Sequence, residues 1–478
     1  MKSLIGNTWR DSSDGLVIEV KNPATNEVVD TVPSLTKEDV EEAIKYAHDH
    51  KSEWANISVV ARCEILSKFA LLVEENKDEL AKLLSDETGK PIKEAYNEIA
   101  NIAIGVPAYV EKVKHEYGNV IYRGTERGQE NTIQYTIRQP LGVVVAIIPF
   151  NFPSDIFINK IPPALLMGNA CILKPASANP LTLTRYVELL VEAGVPAGII
   201  SVVHGSGSVV GSALTSSKLV DMVSLTGSTA AGIDAAKNCA EHCAHSSLEL
   251  GGNDAFIICA DGDIDLAVEE TVWGRLYNTG QVCCASKRFL VENSVKEEFI
   301  NKMIAKIKTL KVGMPSEMDT DIGCLISENA AIEVEKQVNK TIDEGAKLVY
   351  GGRRKGAFYE PTILDNVTKD MDVAKDMEIF GPVIPVIGFD TIEEAVSIAN
   401  QSIYGLSGSI VTRDFNKAIK VSEQMECGGF VINGASFFRS FEQPFGGWKY
   451  SGIGNEGIMT TLNEMSHTKT VILKNVTK

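Results

Sequence analysis

Four short runs, Val143 to Ile148, Cys171 to Leu173, Ile200 to Val203 and Met222 to Leu225, are apolar apart from Ser201 and Ser224 and are separated by stretches that read as helices. A strand with one wet face alternates polar and apolar residues, so a strand without alternation is buried on both faces. Helices covering both sides of a parallel sheet provide that burial, and βαβ units follow. A second alternation of the same kind begins near Ala255-Phe256-Ile257-Ile258 and extends to about Ile432. The expected fold class is α/β, with two parallel-sheet domains; 478 residues exceed what a single core usually holds.

The N-terminal third reads as packing helices. Thr36-x-x-Asp39 resembles a capping box, and Val40, Ala43, Ile44 and Ala47 share one face. Ala61, Ile65, Leu66, Phe69 and Leu72 repeat the pattern, and Gly89-Lys90-Pro91 stops the helical region that follows. Two stretches fit neither sheet: residues 129–138 alternate like a half-exposed strand, and residues 469–473 form another β-rich run.

The formal charge, 46 minus 63 or −17, disfavours nucleic acid and anionic membrane surfaces as partners. The first residues lack the apolar stretch of a signal peptide, and no apolar run approaches the ~20 residues of a membrane span, so a soluble, cytoplasmic protein is expected. Nine cysteines without framework spacing fit a reducing compartment. Cys239, His242, Cys243 and His245 crowd one short segment; zinc ligands usually come as two separated pairs, so a structural role is expected and no metal is assigned.

The chemistry concentrates in Gly280-Gln281-Val282-Cys283 and Glu249-Leu250-Gly251-Gly252. A thiolate can attack a carbonyl carbon and hold the product as a thioester, and a carboxylate can activate the water that releases it. With Pro149-Phe150-Asn151-Phe152-Pro153, Leu173-Lys174-Pro175 and Glu378-Ile379-Phe380-Gly381-Pro382 in the same order, the chain resembles the NAD(P)-dependent aldehyde dehydrogenase superfamily from about residue 15 onward.

The resemblance implies Cys283 as nucleophile, Glu249 as the base for the thiol and then for the deacylating water, and Asn151 as a donor to the oxyanion. No cation adjoins Cys283 in sequence to lower its pKa, Lys287 being four residues on, and Cys284 is read as a spectator able to form a protective disulfide. For the cofactor, NAD or NADP, the resemblance implies Lys174 on the adenosine ribose, the turn from Gly227 and Ser228 into a helix under the pyrophosphate, and Glu378 and Phe380 at the nicotinamide ribose and ring. Pro149 and Phe150 are placed with the cofactor residues; Phe150 stands where many relatives have tryptophan and is expected to alter the entrance tunnel. Ser177 stands where NAD-selective relatives often have glutamate, which slightly favours NADP, and the loop from His204 to Gly207 is the alternative seat of that choice. Arg439 falls in the family's substrate loop and could hold an anionic or polyhydroxy aldehyde, or pair with an acidic residue.

The expected reaction is oxidation of a short polar aldehyde or semialdehyde to the carboxylate. A CoA-acylating relative is the competing enzyme, disfavoured by Glu249 because such relatives generally lack it; a silenced structural relative is disfavoured by Cys283 and Glu249 together. Expected boundaries are 1–120 with 140–249 for the dinucleotide-binding domain, 250–445 for the catalytic domain, and 121–139 with 446–478 for an oligomerisation arm and tail. The resemblance implies that the arm crosses to a partner subunit in a homodimer or homotetramer.

Overall fold

The computed structural model describes residues 1–116 and 118–476; Tyr117 and residues 477–478 of the expected tail lie outside the described residues. Each apolar run is a strand. In the first sheet five parallel strands stand in the order Ile200–Val202, Ala170–Lys174, Val143–Ile147, Met222–Thr226 and His245–Glu249. Numbered along the chain this order is 3-2-1-4-5, so the winding reverses between Val143–Ile147 and Met222–Thr226. At such a reversal the helices leave to opposite faces, and a crevice opens beyond the carboxyl ends of the two strands. Ser3–Ile5 and Thr8–Arg10 extend one edge antiparallel.

On the other edge Gly452–Ile453 pairs antiparallel with Leu248 and Glu249. Those two residues fall in the stretch expected to serve only as arm and tail. Their two-residue strand is too short to carry a periodic signal, which is why sequence pattern misses it.

The second sheet holds seven strands, Lys347–Tyr350, Thr362–Val367, Val383–Phe389, Ser286–Glu292, Asp254–Ile258, Ser407–Val411 and Gly429–Ile432, all parallel except the first pair. A third, separate sheet pairs Thr132–Pro140 with Ser466–Lys474 antiparallel, from Ser466 opposite Pro140 to Lys474 opposite Thr132, with Val120–Ile121 on its far side. These are the two stretches that fit neither parallel sheet, each a few residues displaced. Val120, Tyr122, Ile472 and Leu473 are exposed on it.

Among the packing helices, Thr36 caps Lys37–Ala55 with the expected reciprocal bonds to Asp39, and Val40, Ala43, Ile44 and Ala47 are buried. The next helix, Val59–Glu75, is rotated from expectation. It buries Arg62 and Cys63 rather than Ala61 and Ile65, because the Arg62 guanidinium satisfies the carbonyls of Leu166 and Ile57 at 3.0 and 2.8 Å.

Candidate active site

The turn leading to Cys283 is held in a costly conformation. Asn278 and Thr279 adopt φ of 48° and 54°, followed by Gly280 at 78°. Left-handed backbone at a non-glycine residue costs roughly 1–3 kcal/mol and persists only where neighbours impose it. The neighbours here are buried and polar. The Asn278 N–H donates to Glu94 Oε2 at 2.8 Å, and its side-chain amide donates to the Asn151 carbonyl at 2.9 Å. Gln281 Nε2 donates to the Asn278 carbonyl at 3.1 Å while its Oε1 accepts from the Ile326 N–H at 2.9 Å. Lys90, ion-paired with Glu98, also donates to the Asn151 carbonyl, at 2.9 Å. A Cβ at Gly280 would stand 2.3 Å from the Gly381 carbonyl oxygen.

This turn presents Cys283 to a cavity of about 220 Å³ whose wall also includes Glu249, Asn151, Cys284, Asp155, Phe437 and Arg439. Three segments remote in sequence thus bring together the nucleophile, the base and the oxyanion donor that the motifs suggested. The Asn151 amide donates to the Gln281 carbonyl at 3.1 Å, which orients it along the nucleophile turn. Glu249 ends the fifth parallel strand, is buried, and has no hydrogen-bond partner for Oε1. Burial first, and then the nearby Cys283 and Glu456, push its carboxyl well above the usual carboxylate range, with Arg439 and Lys160 opposing.

Contact with the Cys284 sulfur and burial likewise hold the Cys283 thiol well above its ordinary value. No cation adjoins Cys283 in sequence, but the fold brings two to it. Lys287 is buried and folds back to donate to the Cys283 carbonyl, and both Lys287 and Arg439 favour the thiolate. Four residues of separation in an irregular turn followed by a strand carry no sequence signal for that return. Cys284 is buried and unbridged.

The remaining expected residues stand outside the cavity. Lys287 Nζ pairs with Glu378 Oε1 at 2.9 Å, so one buried ammonium joins the nucleophile turn to the carboxylate expected at the cofactor. Phe380 packs edge to face on Phe150, ring centroids 6.0 Å apart. Phe150 therefore sits with Phe380, and the aromatic lining the cavity at this turn is Phe152, with Lys90 Nζ 4.0 Å from its ring centre. Pro149 is half-buried in the turn after Val143–Ile147.

Gly227 follows Met222–Thr226 and donates its N–H to the Glu249 carbonyl at 3.0 Å. Ser228 caps helix Thr229–Ala240 by accepting from the Ala231 N–H at 3.3 Å. Lys174 ends its strand buried, and burial lowers its pKa to about 8. The Ser177 hydroxyl donates to the Gly205 carbonyl at 2.9 Å, so a phosphate would have to compete with that bond. His204 lies buried between the Ser3 and Thr184 hydroxyls, at 2.7 and 2.8 Å.

These residues fit a dinucleotide. The buried Thr226 hydroxyl, at the carboxyl end beside the switch point, has no partner, and a Cβ at Gly251 would meet Glu378 Oε2 at 2.6 Å, so glycine keeps that carboxylate accessible. The first N–H groups of Thr229–Ala240 and the positive end of its dipole suit a pyrophosphate.

Arg439 does what both readings of it foresaw in part. It lines the cavity, yet Nη2 is committed to the buried carboxylate of Glu456 at 2.9 Å, and its guanidinium stacks 4.1 Å from the Phe445 ring centre. Glu456 also binds Lys160 at 2.8 Å, and the two cations draw its pKa down to about 2. Of the cysteine and histidine cluster, Cys239 is buried, Cys243 is exposed, and His245 pairs with Glu464. Among the described residues no three such side chains gather to hold a metal.

Residues 9–471 match the aldehyde dehydrogenase family. The chain belongs to that family. It is 40% identical over 473 residues to a lactaldehyde dehydrogenase of Methanococcus aeolicus, with 98% of this chain and 99% of the relative covered. Its fold superposes with a TM-score of 0.95 on a structure described as an E. coli NADP dependent enzyme, at 35% identity and covering 99% and 98% of the two chains. The same TM-score relates it to betaine aldehyde dehydrogenase from Staphylococcus aureus in complex with NAD⁺, at 34% identity and covering 100% and 95%. As an aldehyde dehydrogenase the chain is an NAD(P)-dependent oxidoreductase that converts an aldehyde to the carboxylate through a cysteine. Sequence motifs had not pointed to Asn278, Lys90, Lys160, Glu456 or Asp155, and had named Gln281 without a role. Lys160 had one available signal, a cation inside the run Ile156 to Leu166, whose only other polar residue is Asn159.

Proposed function

We propose that this aldehyde dehydrogenase oxidises a short, polar aldehyde, with Cys283, Glu249 and Asn151 as its catalytic residues. The single observation that carries the reading is their convergence on one small cavity, with one Glu249 oxygen left free of any partner. Cys283 gives its proton to Glu249, and the sulfur adds to the aldehyde carbon. The carbonyl oxygen, now an anion, meets the Asn151 amide and the Cys283 N–H; loss of one such donor costs ~10²–10³ in rate. A nicotinamide held beside Glu378 and Phe380 would supply the hydride acceptor, which would leave a thioester on Cys283. With the proton from Cys283 passed on to solvent, Glu249 takes a proton from water, the hydroxide attacks the thioester carbon, and the thiolate departs with the C–S electrons, leaving a carboxylic acid that ionises. Both demands on Glu249 are for a base, and a raised pKa makes it a stronger one.

A cavity of about 220 Å³ lies below the usual ~300–1,000 Å³ of ligand pockets, which supports a substrate of a few carbon atoms. The likeness to a lactaldehyde dehydrogenase points the same way. For the cofactor, we take NADP as slightly favoured over NAD, on Ser177 in place of an acidic residue. The exposed apolar edge around Val120, Tyr122 and Ile472 supports a homodimer or homotetramer joined through the third sheet. Nine free cysteines support a cytoplasmic setting. The dinucleotide-binding domain is assigned to 1–120 and 140–249 with the Gly452–Ile453 edge added, and the catalytic domain to 250–445.

The test is formation of reduced cofactor from lactaldehyde, propanal and succinic semialdehyde with each dinucleotide, with and without CoA. Turnover without CoA is expected. A strict CoA requirement, or no turnover of any aldehyde, overturns the reading.

A further inference from the structure

We propose that Asp155 is a specificity-determining residue, selecting aldehydes that carry a hydroxyl near the carbonyl over aldehydes that carry a carboxylate. The inference rests on the reading of the cavity as the aldehyde site and names the substrate class that it takes.

Asp155 stands in the first turn of helix Pro153–Leu166, directly after the Asn151 turn, and its side chain lines the cavity that Cys283 and Glu249 share. Among the described residues one hydrogen bond reaches its carboxylate, from Asn101 Nδ2 to Oδ1 at 2.8 Å. The second oxygen is left to the cavity. Two other polar groups on the wall are engaged elsewhere. Asn159 donates to the Asp155 carbonyl at 2.9 Å and accepts from the Tyr109 hydroxyl at 3.0 Å. Arg439, the residue placed to bind an anion, is turned to Glu456 and packed on Phe445. One nitrogen of the fork that carboxylate recognition favours is therefore already committed, and its charge is paired with Glu456. A negatively charged substrate would meet a guanidinium already neutralised and a carboxylate with an open lone pair.

A hydroxyl suits the same wall. It donates to the free Asp155 oxygen when that group is ionised and accepts from it when protonated. Burial, and then the charge of Glu98, lift the Asp155 pKa to about 7, with Asn101, Lys90 and Arg439 opposing, so both forms are present at neutral pH. An aldehyde lacking the hydroxyl would leave this acceptor without that bond, and a site built to bond a hydroxyl discriminates strongly against analogues without one.

The experiment measures kcat/KM for lactaldehyde, propanal and succinic semialdehyde in the wild type, in Asp155→Asn and in Asp155→Leu. Asparagine preserves shape and the bond from Asn101 while removing the charge. It should raise the succinic semialdehyde to lactaldehyde ratio by ~10-fold or more, through KM. Leucine removes the polar group, and should lower the lactaldehyde to propanal ratio by a similar factor, again through KM. Ratios unchanged in both variants, with all three substrates slowed alike, would make Asp155 a structural residue and overturn the assignment. Wild-type enzyme that turns over none of the three would instead overturn the activity itself.

Discussion

The two ends of the cleft are built on opposite plans. At the nucleophile end, backbone from Asn278 to Gly280 is forced through left-handed geometry and clamped by Glu94, Asn151, Gln281 and Lys90, all buried. At the end proposed for the adenosine, Ser177 is held by a single side-chain bond, 2.9 Å to the Gly205 carbonyl, and Ser206 and Gly207 lie exposed where the short helical stretch Gly207–Gly211 begins. Chemistry demands positions fixed to a fraction of an ångström, and that requires many mutually supporting constraints. Recognition of a ribose or a phosphate is an energy difference that one side chain can change. Substitutions at the first end should therefore be drastic and those at the second graded.

The largest contrast is expected at the sulfur pair. Cys283→Ala should lower steady-state turnover by ~10³-fold or more with cofactor binding retained, whereas Cys284→Ala should keep most activity. Equal losses, read by reduced-cofactor absorbance, would dissolve the distinction between the two cysteines. Next comes the clamp itself. Gly280→Ala places a methyl 2.3 Å from the Gly381 carbonyl at a φ of 78°, and should cost about 4 kcal/mol or more in urea unfolding, along with activity. A fully stable Gly280→Ala enzyme would mean that the turn is not constrained as described.

A third prediction follows acid. His204 is neutral and buried between Ser3 and Thr184; burial first, then the N-terminal ammonium and Lys174, lower its pKa to about 3. The unfolded chain then binds a proton that the folded chain refuses. Stability is full above ~6.5 and falls as pH drops from there toward 3. Replacing His204 with asparagine should flatten that part of the profile, measured as urea midpoints at pH 7.5 and 5. An unchanged slope would show that other groups carry it. The smallest effect is at the graded end. Ser177→Glu should shift the kcat/KM ratio toward NAD by ~10-fold, about 1.4 kcal/mol. An unchanged ratio would move cofactor choice to the loop from His204 to Gly207.

The same contrast explains what could be read from sequence. Nearly continuous apolar runs report burial on both faces, so four strands of the first sheet, Val143–Ile147, Ala170–Lys174, Ile200–Val202 and Met222–Thr226, were legible almost to the residue, as was the cap at Thr36. Motif residues with unusual neighbours, such as Glu249 before two glycines, were legible through resemblance. The clamp was not. Glu94 sits in an ordinary-looking amphipathic helix, and Asn278 and Thr279 have no composition that announces left-handed backbone. Their roles come from contacts across 184 and 127 residues of sequence, which no local pattern encodes. Asp155 escaped for a related reason: an acid in the first turn of a helix usually serves the helix dipole. Its cavity appears only when Arg439 and Phe437 fold over it.

The short strand Gly452–Ile453 has a consequence for how the enzyme is made. It lies against the strand that ends in Glu249, and the next stretches deliver Glu456 to Lys160 and Arg439 and then zip Ser466–Lys474 onto Thr132–Pro140. Everything else that the cavity uses is synthesised earlier. A ribosome-bound chain that has not yet released these residues therefore carries Lys160 and the cavity-wall Arg439 without their counter-ion and an open edge on the sheet that holds Glu249. Completion of the site waits for this segment, and a protease that trims it would disarm the enzyme without touching Cys283.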